Sequence, residues 1–122
     1  MFELHTKKCI PCEEGTEPLT PEQIREHLKN VNAWNVKPRE AATSQGTTHI
    51  EKTLTFVDFR HALGFVNEVG DLAEHEGHHP DLNIHSWNKV TITLSTHSIK
   101  GLSENDFIMA TKIDQILKDD VK

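Results

Sequence analysis

Long apolar runs are missing from this sequence of 122 residues. None approaches the roughly 18 residues that a membrane-spanning helix needs. Nor does the opening stretch, Met1 to Cys12, hold an apolar segment of signal-peptide length, so the expectation is a cytoplasmic protein. Positive charge is short as well: 13 Lys and Arg stand against 19 Asp and Glu, a net charge of −6. Tracking a nucleic-acid backbone takes clustered cations, and direct nucleic-acid binding is therefore not expected. Cysteine is limited to Cys9 and Cys12, half the ligands of a structural zinc site. Their spacing, Cys-Ile-Pro-Cys, leaves three readings open: reduced thiols in an N-terminal arm, zinc held with help from histidines, or redox work. A thioredoxin-like pair would open a helix, whereas Glu-Glu-Gly-Thr-Glu-Pro follows here, a loop composition. No Gly-rich phosphate loop and no zinc-protease signature occurs.

Histidine is what the chain has in plenty. There are nine, and His75, His78, His79 and His85 fall within eleven consecutive positions. Imidazole exchanges a proton near neutrality and is the commonest metal ligand, so this cluster frames the functional question. With 35% apolar and 26% charged residues the chain is neither disordered nor membranous. Its length suits one domain with its own core, here residues 20–122, behind an arm of residues 1–19 carrying Pro11, Gly15 and Pro18.

The first helix announces itself by Thr20 as N-cap, Pro21 at the first helical position and Gln23 as capping-box partner. Ile24, Leu28 and Val31 form its apolar stripe, with an end near Asn30 to Asn32. Trp34 to Val36 reads as a short strand, and Lys37 to Gly46 as a turn or loop. From Thr47 the pattern alternates, with Ile50, Leu54 and Phe56 on one face and His49, Glu51, Thr53 and Thr55 on the other. Lys52 interrupts the apolar face. Asp58 caps a second helix whose stripe is Phe59, Ala62, Leu63, Val66, Val69 and Ala73, with Gly77 as the residue that ends it. Gly64 and Gly70 within it cost helix propensity and suggest a close approach to the sheet. A strand at Leu82–His85, a turn at Ser86–Asn88 and a strand at Lys89–Ser95 follow, the last with Val90, Ile92 and Leu94 inward. Ser103 caps a third helix, with Asp106 three residues on and Phe107, Ala110, Ile113 and Leu117 as its stripe. The order α-β-β-α-β-β-α predicts a two-layer α+β fold: a four-stranded antiparallel sheet with three helices on one face.

Glu74, His78 and His79 straddle the end of the second helix, and Pro80 holds His79 out of helical conformation. If the last turn persists, Glu74 can reach the His78 imidazole four residues on. His97 follows the last strand in a loop, where proton-transfer groups are commonly aimed by a rigid scaffold. The plainer alternatives are a helix-terminal histidine pair favoured by the helix dipole, and solvated or packed roles for His75 and His85. His75 and His79 also have a metal-ligand spacing, although Gly77 ends the helix between them.

Taken together, Glu74-x-x-x-His78-His79-Pro80, six residues, Trp87, nine residues, His97, eight residues and Asp106 resembles the signature of the pterin-4a-carbinolamine dehydratase family. The flanking text, Trp87-Asn-Lys-Val-Thr-Ile-Thr-Leu-Ser-Thr-His97 and Gly101-Leu-Ser-Glu-Asn-Asp106, is similar to that family too. The resemblance runs from the first helix onward. Two departures are a long Pro80–Trp87 interval and a Lys37–Gly46 connection longer than in the animal form. The cysteine-bearing arm resembles an extension of some bacterial members.

The resemblance implies dehydration of a 4a-hydroxytetrahydropterin to the quinonoid dihydropterin, recycling the cofactor that aromatic amino-acid hydroxylases consume. It implies His78, His79 and His97 as active-site histidines. Glu74, Asp106, Pro80 and Trp87 would line or support the site, with no metal and no cofactor. Asp106 can equally be only a capping-box residue, and Trp34 and Trp87 are read as packing residues rather than ring-stacking partners. Homodimers or homotetramers are implied, and so is a protein partner, a hydroxylase or a transcription regulator. Two rival roles stay open: a non-catalytic dimerisation or transcription-regulatory protein, and a zinc-binding regulator.

Overall fold

A computed structural model describes residues 17–37, 48–96, 99 and 101–120. The arm's Cys9 and Cys12, most of the Lys37–Gly46 connection and His97 lie outside the described residues. In chain order the elements are α1 (Pro21–Leu28), β1 (Asn35–Lys37), β2 (His49–Thr55), α2 (Phe59–Glu76), β3 (Asp81–His85), β4 (Lys89–Leu94) and α3 (Glu104–Asp120). The order of helices and strands is the one the sequence predicts. Among the described residues no helix is long and apolar enough to cross a membrane.

The strands form one sheet in the order β1-β2-β4-β3, antiparallel throughout. Period-two alternation turns Ile50, Val90, Ile92 and Leu94 onto the face that meets the helices, where all four are fully buried. The opposite face is polar. There Thr91 Oγ1 lies 2.8 Å from both Thr53 Oγ1 and His85 Nε2, which places His85 away from the helix layer.

α1 begins as expected, with both halves of the Thr20–Gln23 capping box formed. It stops sooner than its apolar stripe suggests. The N–H groups of Lys29, Asn30 and Val31 bond three residues back, tightening the last turn. Val31 therefore lies beyond the helix but still packs on the core.

α2 corrects two expectations. Ala62, Phe65, Val69 and Ala73 are its buried apolar residues, whereas Phe59 is 48% and Leu63 40% exposed. The helix carries two apolar stripes, and the sheet takes the one containing Phe65, whose ring lies 5.1 Å from that of Phe56. Nor do Gly64 and Gly70 serve close packing: a Cβ at either would meet nothing within 4 Å.

α3 is the innermost helix. Beyond the predicted Phe107, Ala110 and Ile113, Ile108 and Met109 are also buried, because α1, α2 and β4 all pack against it. Lys52 occupies the inward face of β2, as the alternation places it. Its ammonium reaches Asp114 Oδ1 at 2.8 Å and the Asn32 carbonyl at 2.6 Å. Asp114 also accepts the Trp34 indole N–H at 3.0 Å and the Asn32 amide at 2.9 Å. A charge in the core layer is thus matched before it is buried.

Candidate active site

The site begins where α2 ends. Gly77 adopts a left-handed conformation, φ 70°, and its N–H closes on the Ala73 carbonyl at 2.9 Å. No neighbour crowds it, so glycine serves the backbone angle and not space. Past that turn the i,i+4 spacing of the helix no longer applies. His79, five residues after Glu74, swings back so that its Nε2 bonds the Glu74 carboxylate. The expected Glu74–His78 contact is replaced by this one.

His78 goes inward. Its Nε2 lies 2.7 Å from Oδ1 of Asp106, with the imidazole side chain 13% exposed and the carboxylate fully buried. Asp106 stands in the first turn of α3, where negative charge suits the helix dipole. Its Oδ2 accepts the Ser103 backbone N–H at 2.9 Å, half of a capping box, and the Thr96 hydroxyl at 2.8 Å. Asp106 is therefore both a helix-capping residue and a histidine partner, so the two alternatives read from the sequence hold together.

Because a carboxylate only accepts, His78 Nε2 carries the hydrogen in this pair, and the lone pair of a neutral ring then lies on Nδ1. The pairs differ sharply in solvent. The His79 and Glu74 side chains are 59% and 79% exposed. A second tie, Lys112 Nζ to Glu76 Oε2 at 2.7 Å, pins the last turn of α2 to α3 beside the site. No buried side-chain nitrogen or oxygen lacks a partner among the described residues.

Sheet register explains the convergence. Asp81 pairs with Thr93, so the start of β3, right after His78-His79-Pro80, lies beside the end of β4, which leads to Thr96. Trp87 does not join them. It sits at the β3–β4 hairpin tip, 62% exposed, with φ 56°, against the expectation of a packed residue. The length of β3, roughly 16 Å, separates it from Pro80. Trp34, by contrast, is packed, at 6% exposure. Among the described residues no three His, Cys, Asp or Glu side chains are arranged to hold a metal ion.

Sequence reasoning overlooked Thr96 and the Glu76–Lys112 pair. Thr96 had a signal: continuing the alternation of Val90, Ile92 and Leu94 puts a hydroxyl on the inward face.

Comparison with known proteins covers most of the chain. The family model described as "Pterin 4 alpha carbinolamine dehydratase" matches residues 17–116. The "Putative pterin-4-alpha-carbinolamine dehydratase" of Alkaliphilus metalliredigens is 44% identical over 116 residues, 94% of this chain and 96% of that protein. Its namesake in Methylococcus capsulatus is 43% identical, covering 93% of this chain and 92% of the relative. Among solved structures, a transcriptional coactivator/pterin dehydratase from Brucella melitensis superposes with TM-score 0.67 at 31% identity, over 82% of this chain and 98% of the other. A pterin dehydratase-like protein identified as a RuBisCO assembly factor in the alpha-carboxysome shares the fold, with TM-score 0.55 at 20% identity over 70% of this chain and 89% of the other.

Proposed function

The chain belongs to the pterin-4a-carbinolamine dehydratase family, and from that premise we propose that it dehydrates a 4a-hydroxytetrahydropterin in cytoplasmic pterin cofactor recycling. Residues 20–122 form the catalytic domain in this reading, and residues 1–19 an arm outside it. The observation that carries the proposal is the His78–Asp106 pair, a titratable ring held by a buried carboxylate within the family match.

The reaction breaks the bond between carbon 4a and its hydroxyl, which takes a proton and leaves as water. The electrons of the N5–H bond form the C4a=N5 double bond, and the N5 proton passes to a base. One donor and one acceptor working near neutral pH suffice, and positioned imidazoles typically contribute about 10²–10⁴-fold. His78, oriented by Asp106, and His97 share these roles. His97 enters by motif position alone. His79, steadied by Glu74 at the solvent edge, orients the pterin, and Pro80 fixes the departure of the chain behind it. Trp87 has no part in the reaction centre. No metal is needed, since both proton transfers lie within reach of imidazole chemistry.

The test is stopped-flow dehydration of freshly generated 4a-carbinolamine against its spontaneous breakdown. His78→Ala and His97→Ala should each lower turnover by about 10² or more with the fold intact. EDTA should leave the rate unchanged. Near-wild-type turnover in both variants would refute the reading, and a loss restored by zinc would favour a metal-dependent protein.

A second reading, an interaction protein, is favoured by the exposed apolar residues Val57, Phe59 and Leu63 around the start of α2. It predicts an oligomer or a bound protein partner that histidine substitutions leave intact while substitution of Leu63 disrupts it.

A further inference from the structure

Asp106 offers two oxygens, and only one faces His78. What keeps the other in place lies outside the histidine motif. The Thr96 hydroxyl has a single hydrogen, which goes to Asp106 Oδ2 at 2.8 Å. The Ser103 hydroxyl, 2.7 Å from Thr96 Oγ1, must then be the donor in that pair. Together with the Ser103 amide, the chain of hydrogens runs in one direction, from Ser103 and Thr96 into the carboxylate. Oδ2 is thereby occupied twice, and among the described residues Oδ1 is left for the imidazole alone.

Thr96 cannot drift with the carboxylate. Its N–H bonds the Gly101 carbonyl at 2.8 Å, and its carbonyl accepts from Ile99 at 3.2 Å and Gly101 at 3.4 Å. Gly101 is itself braced from outside. A Cβ there would meet Pro18 Cβ at 2.7 Å, and the Leu19 amide bonds the Leu102 carbonyl at 2.8 Å. The carboxylate is thus held between a helix N-terminus and a strand end that the preceding arm supports.

We infer that Thr96 is a positioning residue for His78, acting through Asp106: by holding Oδ2 it keeps Oδ1 on Nε2–H, fixes that tautomer and leaves Nδ1 to exchange protons. Its effect on turnover rests on the proposed dehydration; its effect on the imidazole does not.

The experiment pairs ring-nitrogen NMR of His78 in the full chain with the stopped-flow assay. In the neutral ring, recognised by its own ring-nitrogen shifts, the wild type should be the Nε2–H tautomer. Thr96→Val should mix the tautomers and lower kcat roughly tenfold with KM unchanged, the loss expected for one hydrogen bond to a charged group. Thr96→Ser keeps the hydroxyl and should behave as wild type in both. If Thr96→Val does not fold, Thr96→Ala against Thr96→Ser isolates the same hydroxyl. A wild-type ring spectrum in a folded variant without the hydroxyl overturns the inference, as does a serine variant that fails to restore it. Should the wild-type protein not accelerate dehydration, the functional reading falls while the ring spectra still decide the role of Thr96.

Discussion

Two carboxylates on α3, Asp106 and Asp114, stand a little over two turns apart, and each gathers partners from distant parts of the chain. Asp114 holds Lys52, the Trp34 indole and the Asn32 amide. Asp106 holds Thr96, Ser103 and His78. The residue type, the helix and the hydrogen-bonding capacity are the same. The difference is the group each one faces. The Asp114 cluster is a tie between β2, the α1–β1 connection and α3, built on an ammonium that only donates. The Asp106 cluster holds an imidazole, a ring that can donate through one nitrogen and accept through the other, and in the function proposed above it is the one that serves proton transfer. On that proposal, a buried carboxylate is structural or chemical according to the group it faces.

The contrast breaks most sharply at Asp114. Replacing it by Ala leaves the Lys52 ammonium, only 8% exposed, without its counter-ion. Urea denaturation should show a loss of about 3–5 kcal/mol, while the His78 ring spectrum of the folded fraction stays as in wild type. A variant as stable as wild type would demote that cluster from its structural role. Asp106→Asn keeps the shape but removes the anionic partner of His78. Turnover should fall by about 10², a larger loss than any accompanying change in the cooperativity of unfolding. Unaltered turnover would place Asp106 with Asp114 as a purely structural carboxylate.

Smaller effects sharpen the picture. Glu74→Gln, at the exposed pair, should change stability by less than about 1 kcal/mol and shift KM more than kcat, because solvent screens that contact. The smallest effect belongs to Asp58, the N-cap of α2. Its carboxyl is held below the ordinary 3.8, first by the His61 backbone N–H and then by the His61 imidazole. A lowered folded value stabilises the protein above the unfolded value and ceases to do so as pH falls through the folded one. The Tm difference between wild type and Asp58→Ala should therefore hold down to about pH 5 and close in stronger acid. A difference that persists there would assign the effect to helix propensity instead.

What the residues announced depended on range. Thr20, Pro21 and Gln23 marked α1, Asp58 and Gly77 bracketed α2, and alternation named the inward residues of β4, because each signal acts within one turn or one strand. The stripe of α2 was only partly legible: Phe59, Leu63 and Val66 on one side and Phe65 and Val69 on the other both keep helical period, and only the sheet decided between them. Lys52 looked like a break in a strand until Asp114, sixty-two positions away, supplied its counter-charge. The Glu74–His78 contact, which depends on the last turn persisting, gives way to Glu74–His79 because left-handed Gly77 ends the helical spacing between them. Trp87 looked like a packing residue until the hairpin turned it outward.

By itself, then, the order of residues determined the element sequence, the caps and the histidine-rich end of α2, since these follow from bonds and side chains a few positions apart. Tertiary structure alone decided which carboxylate His78 faces. His78 and Asp106 are 28 positions apart and meet only because antiparallel register lays the start of β3 beside the end of β4. Burial then makes that meeting selective, as a carboxylate removed from water must find its donors within the protein.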